Sequence, residues 1–387
     1  MSLFTKGNFI TLLRSGGEYF PALESAIHQA KHEIYIETYI FQADEIGLPI
    51  IEALINAARR DVAVYLLLDG FGCKELAKFH INKLNDAGVQ VMIYREKTSP
   101  WTLQKNRLRR LHRKMVVVDR RIAFVGGINI IDDYDVPKDA TPRLDYAVKV
   151  EGAIVQDIYK AIRRLWRRMA WLQMRSKPKF FDEKCFETPT HTKEPSIKAV
   201  LLLRDNILHR RDIEEAYLTA IADAKSEIII ANAYFLPGWR FRNALVEAAA
   251  RGVRVKLLLQ GRLEYFYMFA SHAFYNQFLQ QGIEIFEYKK SFMHSKVAVI
   301  DGEWATIGSS NIDPFSLLLA REANVVVKHK KFAQELRADI LNTIHDGAIQ
   351  ISTEKWQQRG LLGRFASWLA YGGLRLFLGL IGFPGER

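Results

Sequence analysis

In the stretch LHRKMVVVDRRIAFVGGIN, residues 111–129, a run with the composition of a β-strand follows a histidine and a lysine two positions apart. The stretch MHSKVAVIDGEWATIGSSN at 293–311 repeats the same frame. In both, H-x-K is followed by four residues, an aspartate, six residues, Gly-Gly or Gly-Ser, one residue and an asparagine. Short runs rich in valine and isoleucine predict strands. The chain therefore contains two copies of one unit.

Further matches in the same order extend the repeat over most of the chain. KHEIYIETYIF (31–41) corresponds to KSEIIIANAYF (225–235), and ARRDVAVYLLLDG (58–70) corresponds to AARGVRVKLLLQG (249–261). In each copy, short apolar runs alternate with helical patterns. A repeat of this length predicts two related, pseudo-symmetric α/β lobes, each a mixed β-sheet flanked by helices.

The repeat also divides the chain of 387 residues into domains. The predicted lobes are 1–175 and 197–350, and the polar, proline-containing segment 176–196 between them is predicted to be a linker. An apolar segment at 351–387 follows the second lobe. Because each lobe supplies one H-x-K frame, we expect the active site between the lobes.

Charge and cysteine content narrow the class of protein. A net charge of +12 and a pI near 9.5 favour a polyanionic partner, which leaves nucleic acid and anionic lipid surfaces as the main candidates. The two cysteines, Cys73 and Cys185, are far apart, which argues against a disulfide framework or a zinc site and favours a reducing compartment. The N-terminus lacks the apolar core of a signal peptide, so we expect the catalytic lobes in the cytoplasm.

The two H-x-K pairs predict phosphate chemistry. Residues i and i+2 of a strand share a face, so His112 projects with Lys114, and His294 with Lys296. The lysine holds phosphate oxygens as a point charge, and the histidine attacks phosphorus or moves a proton near neutral pH. A single H-x-K sequence in a basic protein is usually a solvated charge pair. Two copies in the same frame argue against that alternative.

Neutral donors and two carboxylates complete the candidate site. The side chains of Asn129, Asn311 and Ser309 are potential hydrogen-bond donors to a phosphate. Asp145 and Glu322 occupy matching places in the repeat, each at the start of a strand after its motif. A carboxylate there would accept the second N–H of a histidine and fix its tautomer. The alternative is a salt bridge at the rim with an arginine one or two positions earlier.

The motif aspartates, Asp119 and Asp301, each lie an odd number of residues beyond their histidine. A regular strand would point them away from the site. Strand alternation therefore predicts a structural role for both, although the motif needs them.

The paired motif resembles the signature HxKxxxxDxxxxxxGSxN of the phospholipase D superfamily, and the similarity spans most of residues 8–350. The second copy matches throughout, whereas the first has Gly127 in place of the serine and so lacks one hydroxyl. Within the superfamily, EIIIANAYFLPG, WATIGSSNIDPFSL and EANVVV look like the bacterial cardiolipin synthases, especially the short B type. The resemblance implies six catalytic-motif residues: His112, Lys114, Asp119, His294, Lys296 and Asp301.

The resemblance also implies a mechanism that needs no metal or other cofactor. One histidine forms a covalent phosphohistidine while the other protonates the leaving alcohol and then deprotonates the incoming one. By analogy with members whose N-terminal histidine attacks, His112 is the nucleophile and His294 the acid and base; the residues themselves favour neither order. The implied reaction transfers a phosphatidyl group from phosphatidylglycerol, or from a similar lipid such as phosphatidylethanolamine, to phosphatidylglycerol. The implied location is the cytoplasmic face of the bacterial cell membrane, with the protein peripheral or monotopic.

Four segments favour lipid as the partner: the apolar stretch 361–385, the basic amphipathic helix 159–174, the insert 97–111 with five cations and the aromatic stretch 263–275. Each has an alternative interpretation, since the apolar stretch would fit the interface, a membrane span or the core. The helix would also fit on its own lobe, the insert as a solvated loop and the aromatic stretch in the core. Two alternative functions explain the sequence less well. A nuclease would use the same chemistry, but it would leave the apolar stretch 361–385 unexplained. A membrane scaffold without catalytic activity would not need two intact H-x-K frames.

Overall fold

The computed structural model describes residues 3–95, 109–136, 141–175, 197–205, 208–262 and 270–357, with residues 367, 369, 371–373 and 376. Several predicted features lie wholly or largely outside these ranges: most of the insert 97–111, the linker 176–196, the first part of the aromatic stretch 263–275 and most of the apolar stretch 361–385. The described end of the aromatic stretch belongs to the core, where Phe274 and Tyr275 are buried.

The first lobe alternates strands and helices and ends in a long helix. Its elements are β1 (Thr5–Arg14), α1 (Ser15–Gln29), β2 (Glu33–Thr38), α2 (Gly47–Arg59), β3 (Ala63–Asp69), α3 (Lys78–Asp86), β4 (Gln90–Tyr94), β5 (Lys114–Val118), β6 (Ile122–Gly126), β7 (Thr141–Leu144), β8 (Tyr146–Gly152) and α4 (Ile154–Leu172).

The second lobe repeats this order. Its elements are β9 (Ile197–Arg204), α5 (Asp212–Asp223), β10 (Glu227–Asn232), α6 (Trp239–Ala250), β11 (Arg254–Gln260), α7 (Tyr275–Gln280), β12 (Glu284–Tyr288), β13 (Ser291–Met293), β14 (Lys296–Ile300), β15 (Trp304–Gly308), α8 (Pro314–Leu318), β16 (Glu322–Lys328), α9 (Lys330–Gly347), β17 (Ala348–Ile351) and α10 (Thr353–Gln357). Trp356 of α10 is buried in the core of this lobe, so packed structure continues beyond residue 350.

The two mixed sheets join into one sheet of 15 strands. Its order is β17-β12-β11-β10-β14-β15-β16-β9-β1-β8-β6-β5-β2-β3-β4, with β1 and β9 paired antiparallel where the lobes meet. The triplets β2-β3-β4 and β10-β11-β12 are parallel. Because parallel strands end at the same edge of a sheet, each triplet carries its loops to one end of its lobe.

Burial on both faces explains the nearly continuous apolar strands. Every residue of β2, β3 and β5 is buried, as expected for strands with helices on both sides. One apolar cluster is shared by the lobes and includes faces of α4 and α9. Two further clusters bury α1 and α2 against the first lobe, and α5 and α6 against the second.

Helix α4 packs on its own lobe, which decides one of the alternatives left by the sequence. The apolar residues Ile162, Leu165, Trp166 and Met169 are buried in the shared cluster. Arg167 and Arg168 are exposed. Within the described parts of the chain, no helix is both long enough and apolar enough to cross a membrane.

The aspartates of the two motifs hold turns at the far ends of their strands. Asp119 follows β5 and accepts backbone N–H groups of residues 31–33 at 2.7–2.9 Å. Asp301 follows β14 and accepts those of residues 225–227 at 2.8–2.9 Å. Both have a left-handed backbone, with φ of 49° and 52°. The structure thus does not bring these two candidate catalytic residues to the histidines; it gives them the structural position that strand alternation predicts.

We predict that Asp119→Ala and Asp301→Ala lower the free energy of unfolding by about 2–4 kcal/mol each, because charge-assisted bonds are lost and alanine is strained at positive φ. Urea unfolding measures this. Asp119→Asn is the matched control, since it keeps an acceptor and tolerates the backbone, and it should lose less. Unchanged unfolding combined with lost activity would instead place these carboxylates in the chemistry.

Candidate active site

Two short parallel pairings between the lobes build the site. Leu111 forms a bridge with Arg321, and β13 pairs with β7. The backbone N–H of His112 donates to the carbonyl of Arg321 at 3.0 Å. That of His294 donates to the carbonyl of Leu144 at 2.7 Å. Each histidine is therefore fixed beside the residue that precedes the carboxylate of the opposite lobe.

The carboxylates are exchanged between the lobes. His112 Nδ1 lies 2.9 Å from Glu322 Oε1 and 3.1 Å from Oε2, and His294 Nδ1 lies 2.7 Å from Asp145 Oδ2. The exposed fractions of the two carboxylate side chains are 0% and 3%. Because an ionised carboxylate only accepts, Nδ1 of each ring carries the hydrogen and Nε2 keeps its lone pair. These contacts match the tautomer-fixing role and not the rim salt bridge.

Gly127, which replaces the serine of the motif in the first lobe, leaves space for the side chain of Asp145. Ser309 Oγ donates to Glu322 Oε2 at 2.5 Å. In the other lobe, a Cβ on Gly127 would lie 2.4 Å from Asp145 Oδ1 and 2.6 Å from Oδ2. The serine therefore accompanies the longer glutamate, and the absence of a side chain at 127 leaves space for the aspartate.

Both lysines are buried beside the histidines. Lys114 Nζ donates to the carbonyl of His112 at 2.6 Å, and Lys296 Nζ donates to that of His294. Burial lowers the pKa of Lys114 to about 7, although Glu322 acts in the opposite direction. The amino groups of Lys114 and Lys296 thus lie beside the two histidines, where both can donate to the non-bridging oxygens of a phosphate.

Burial sets the protonation of the imidazoles. It lowers the pKa of His112, with Glu322 opposing the shift. It lowers the pKa of His294 well below its usual value, and the charges of Lys296, Lys114 and His112 add to the effect. Both rings are therefore neutral at neutral pH without a ligand, as a nucleophile requires. The negative charge of a bound phosphodiester would favour the imidazolium that a general acid requires.

The motif asparagines lie at the strand ends next to the site. Asn129 Oδ1 accepts the backbone N–H of Ile40 at 3.2 Å. Asn311 is buried, and its Oδ1 has no hydrogen-bond partner among the described residues. Since the two ends of an amide are assigned from their surroundings, this end of Asn311 is available to a ligand as donor or acceptor.

Tyr39 is a site residue that the sequence did not reveal. Its ring lies edge-on to that of His112, with the centroids 4.8 Å apart, and Lys114 Nζ lies 5.2 Å from its centroid. Burial raises the pKa of the Tyr39 hydroxyl to about 12. The repeat places Ala233 at the equivalent position. The sequence could have indicated this role only by a difference between the copies, since a tyrosine directly follows the apolar strand β2 in the first copy and an alanine is at that place in the second.

Asp69 was also missed, and it supports the residue before His112. Its Oδ2 accepts the N–H of Leu111 at 2.8 Å, and its Oδ1 accepts those of Phe71 and Gly72. The sequence feature that could have indicated its role is a carboxylate at the end of the apolar run LLLD. Among the described residues, no group of three or more His, Cys, Asp or Glu could hold a metal ion.

Replacing Asp145 with Asn should stabilise the protein at neutral pH while removing activity. Burial raises the pKa of Asp145 to about 6, above its unfolded value. The wild type therefore loses stability as pH rises through about 4 to 6, and a neutral amide does not. The stability of Asp145→Asn relative to wild type should rise by about 2–3 kcal/mol between pH 4 and pH 7. Urea unfolding at both pH values measures the difference, and an equal difference at both would contradict the prediction.

Comparisons with known proteins identify the family of both lobes. The family described as "Cardiolipin synthase, PLD-like domain" matches residues 23–166 and 217–344. Cardiolipin synthase B of Escherichia coli (strain K12) is 38% identical, and the alignment covers 98% of this chain and 90% of that protein. The probable cardiolipin synthase YwiE of Bacillus subtilis (strain 168) is 29% identical, over 98% of this chain and 74% of that protein.

Solved structures show the same fold at low identity. Phosphatidylserine synthase of Haemophilus influenzae Rd KW20 has a TM-score of 0.69 and 14% identity, covering 97% of this chain and 95% of that one. Polyphosphate kinase of Porphyromonas gingivalis has a TM-score of 0.59 and 13% identity, covering 95% of this chain and 52% of that one. The resemblance inferred from the paired motif is confirmed by the family match to both lobes and by the relative that is 38% identical over nearly the whole chain. The chain belongs to the cardiolipin synthase family of the phospholipase D superfamily.

Proposed function

We propose that this protein transfers a phosphatidyl group from phosphatidylglycerol to the free glycerol hydroxyl of a second phosphatidylglycerol, forming cardiolipin and releasing glycerol. The crossed histidine–carboxylate pairing carries the proposal. It leaves two Nε2 lone pairs beside two buried ammonium groups, the set that a double displacement at phosphorus needs. The names of the relatives support the lipid substrates.

In the first step, Nε2 of His112 attacks phosphorus and the bond to the glycerol oxygen breaks. The imidazolium of His294 gives its proton to that oxygen. In the second step, the incoming hydroxyl gives its proton to His294 and attacks phosphorus, the P–N bond breaks, and His112 is regenerated. Lys114 and Lys296 neutralise the charge that develops on the non-bridging oxygens. The assignment of His112 as nucleophile rests on the superfamily resemblance, and metal-free catalysis remains an expectation.

Nucleic acid was the alternative substrate for the same chemistry. None of the relatives and structures reported above is named for a nucleic acid. The basic charge is accounted for equally well by an anionic lipid surface. We therefore propose phospholipids alone as substrates.

Either histidine replacement should reduce net transfer by about 10³-fold or more, but different steps should be lost. His294→Ala keeps the nucleophile, so a short-chain phosphodiester with a nitrophenol leaving group should still label the enzyme. His112→Ala should not become labelled. Mass spectrometry of the trapped phosphohistidine locates the label. A label on His294 in His112→Ala would reverse the assigned roles, and no label in either variant would contradict a covalent intermediate.

We also propose that the protein acts as a peripheral protein on the cytoplasmic face of an anionic membrane. Three apolar residues at the C-terminal end of α4, here called the α4 tip, are exposed: Trp171 (77%), Leu172 (57%) and Met174 (97%). The arginines on the preceding turns of α4, together with Arg175, line one surface groove with these three residues. Apolar side chains between cations fit an interface with anionic headgroups.

The α4 tip lies at the end of the sheet that carries the site. Gln173 Nε2 donates to the carbonyl of Ile93 in the edge strand β4 at 2.8 Å. That strand ends at Tyr94, whose hydroxyl accepts from Arg321 Nε at 3.2 Å. Because Arg321 precedes the carboxylate that holds His112, a membrane against the tip would lie at the same end of the molecule as the site.

Replacing Trp171 and Met174 together by serine should weaken binding to vesicles of phosphatidylglycerol and phosphatidylcholine by at least about tenfold, because apolar insertion is lost. Sedimentation with vesicles measures this. Trp239→Ser is the matched control, since Trp239 is 55% exposed on α6 of the other lobe, and it should bind as the wild type does. Equal binding by the double variant would remove the tip from the membrane contact.

A further inference from the structure

The two junctions at which a histidine meets the opposite carboxylate differ in charge. At the first junction, three arginines precede the paired residues: Arg109 and Arg110 before His112, and Arg321 before Glu322. At the second junction, the repeat has uncharged residues in the three equivalent places: Ser291, Phe292 and Leu144. The chemistry is therefore duplicated, but the two sides differ at these three positions; Arg143, whose charge acts on His294 and Asp145, is the nearby cation of the second junction.

Arg95 and Arg321 lie beside Tyr94, and the charges of all three residues act on Arg109. The guanidinium of Arg110 lies 4.7 Å from the centroid of the Phe71 ring. The backbone N–H of Arg321 donates to the carbonyl of Arg110 at 2.8 Å, and its Nε donates to the hydroxyl of Tyr94 at 3.2 Å. The guanidinium of Arg95 lies 5.6 Å from the centroid of the Tyr94 ring. We call Arg95, Arg109, Arg110 and Arg321 the arginine cluster.

The cluster has donors to spare. Arg109 Nε and Arg110 Nη1 are buried and have no hydrogen-bond partner among the described residues. No ion pair found in those parts of the chain includes a member of the cluster. Burial lowers the pKa of Arg109, and the charges of Arg95 and Arg321 add to the effect. The guanidinium groups lie close enough for their like charges to repel each other. Asp69 offsets part of the charge of Arg110, and Glu37 part of that of Arg321, but the two buried N–H groups have no acceptor among the described residues.

An anion would supply the missing acceptors. A buried guanidinium N–H without an acceptor is unfavourable, and phosphate oxygens accept from arginine in the fork geometry that the side chain offers. The reacting phosphate already has Lys114 and Lys296 beside the two histidines. The cluster is thus available for a different phosphate.

We propose that the arginine cluster is a second anion site that binds the phosphate of the acceptor lipid. The inference rests on the proposed function and deepens it. The phosphatidylglycerol acceptor carries a phosphodiester monoanion on the same glycerol as its free hydroxyl, whereas water and glycerol carry no charge. Binding of that phosphate would hold the hydroxyl near the phosphohistidine, so the site would select a phosphate-bearing alcohol over water.

The test uses competition between two soluble acceptors, so that membrane binding does not affect the result. Short-chain phosphatidylglycerol is the donor, glycerophosphoglycerol is the phosphate-bearing acceptor, and 1-O-methylglycerol is the neutral one. Both acceptors react with the same phosphoryl-enzyme, so the product ratio is independent of its formation. Arg109→Gln and Arg321→Gln should each lower the ratio of charged to neutral product by about tenfold or more. Arg109→Lys keeps the charge and should retain part of the preference.

Arg59→Gln is the matched control, since Arg59 is exposed on α2, and it should leave the ratio unchanged. An unchanged ratio in both glutamine variants would overturn the inference. An equal loss of both products would also overturn it, because only a general electrostatic effect would then remain. If the wild type makes neither product, the proposed transfer itself fails, which is a separate result.

Discussion

The position of both histidines is governed by the exchange of carboxylates between the lobes. Glu322 orients His112, and Asp145 orients His294, so neither lobe alone holds an imidazole in the reactive tautomer. The backbone bonds of the two histidines to the opposite lobe set this exchange. A small shift of one lobe would misalign both rings at once. The shared apolar cluster and the strand pairing between β1 and β9 oppose such a shift.

The chemistry also places ionisable groups where folding alone would not favour them. Burial raises the pKa of Asp145 to about 6 and lowers that of Lys114 to about 7. Both shifts mean that the charged form is destabilised in the folded protein. The negative charge of a bound phosphodiester favours the charged form of Lys114, so substrate binding relieves the part of this cost that falls on the lysine. A site of this kind exchanges stability for activity.

Much of the fold followed from periodicity, because strands buried on both faces and a repeated order of elements leave a strong pattern. Alternation along one strand also predicted that Asp119 points away from the site. It did not predict which carboxylate binds which histidine, since strand periodicity stops at the boundary of a lobe. Tyr39 was missed for a related reason: it lies directly after the end of β2, where strand alternation no longer predicts which residues it contacts. For α4, one apolar face fitted a lobe and a membrane equally well until its burial was known.

Because the catalytic unit is duplicated, its own residues do not select between the leaving alcohol, the entering alcohol and water. In a double displacement, the same histidine serves the leaving and the entering alcohol, so both pass through one space, and water reaches it as well. The core residues do not distinguish these groups, because each copy offers an imidazole, an ammonium and a carboxylate. The copies differ around that core, with Tyr39 and the arginine cluster on one side, and Ala233 and uncharged residues at the positions equivalent to Arg109, Arg110 and Arg321 on the other. Selection of the acceptor must come from these differences, and the charge of the acceptor's own phosphate is the property to which a cationic flank responds.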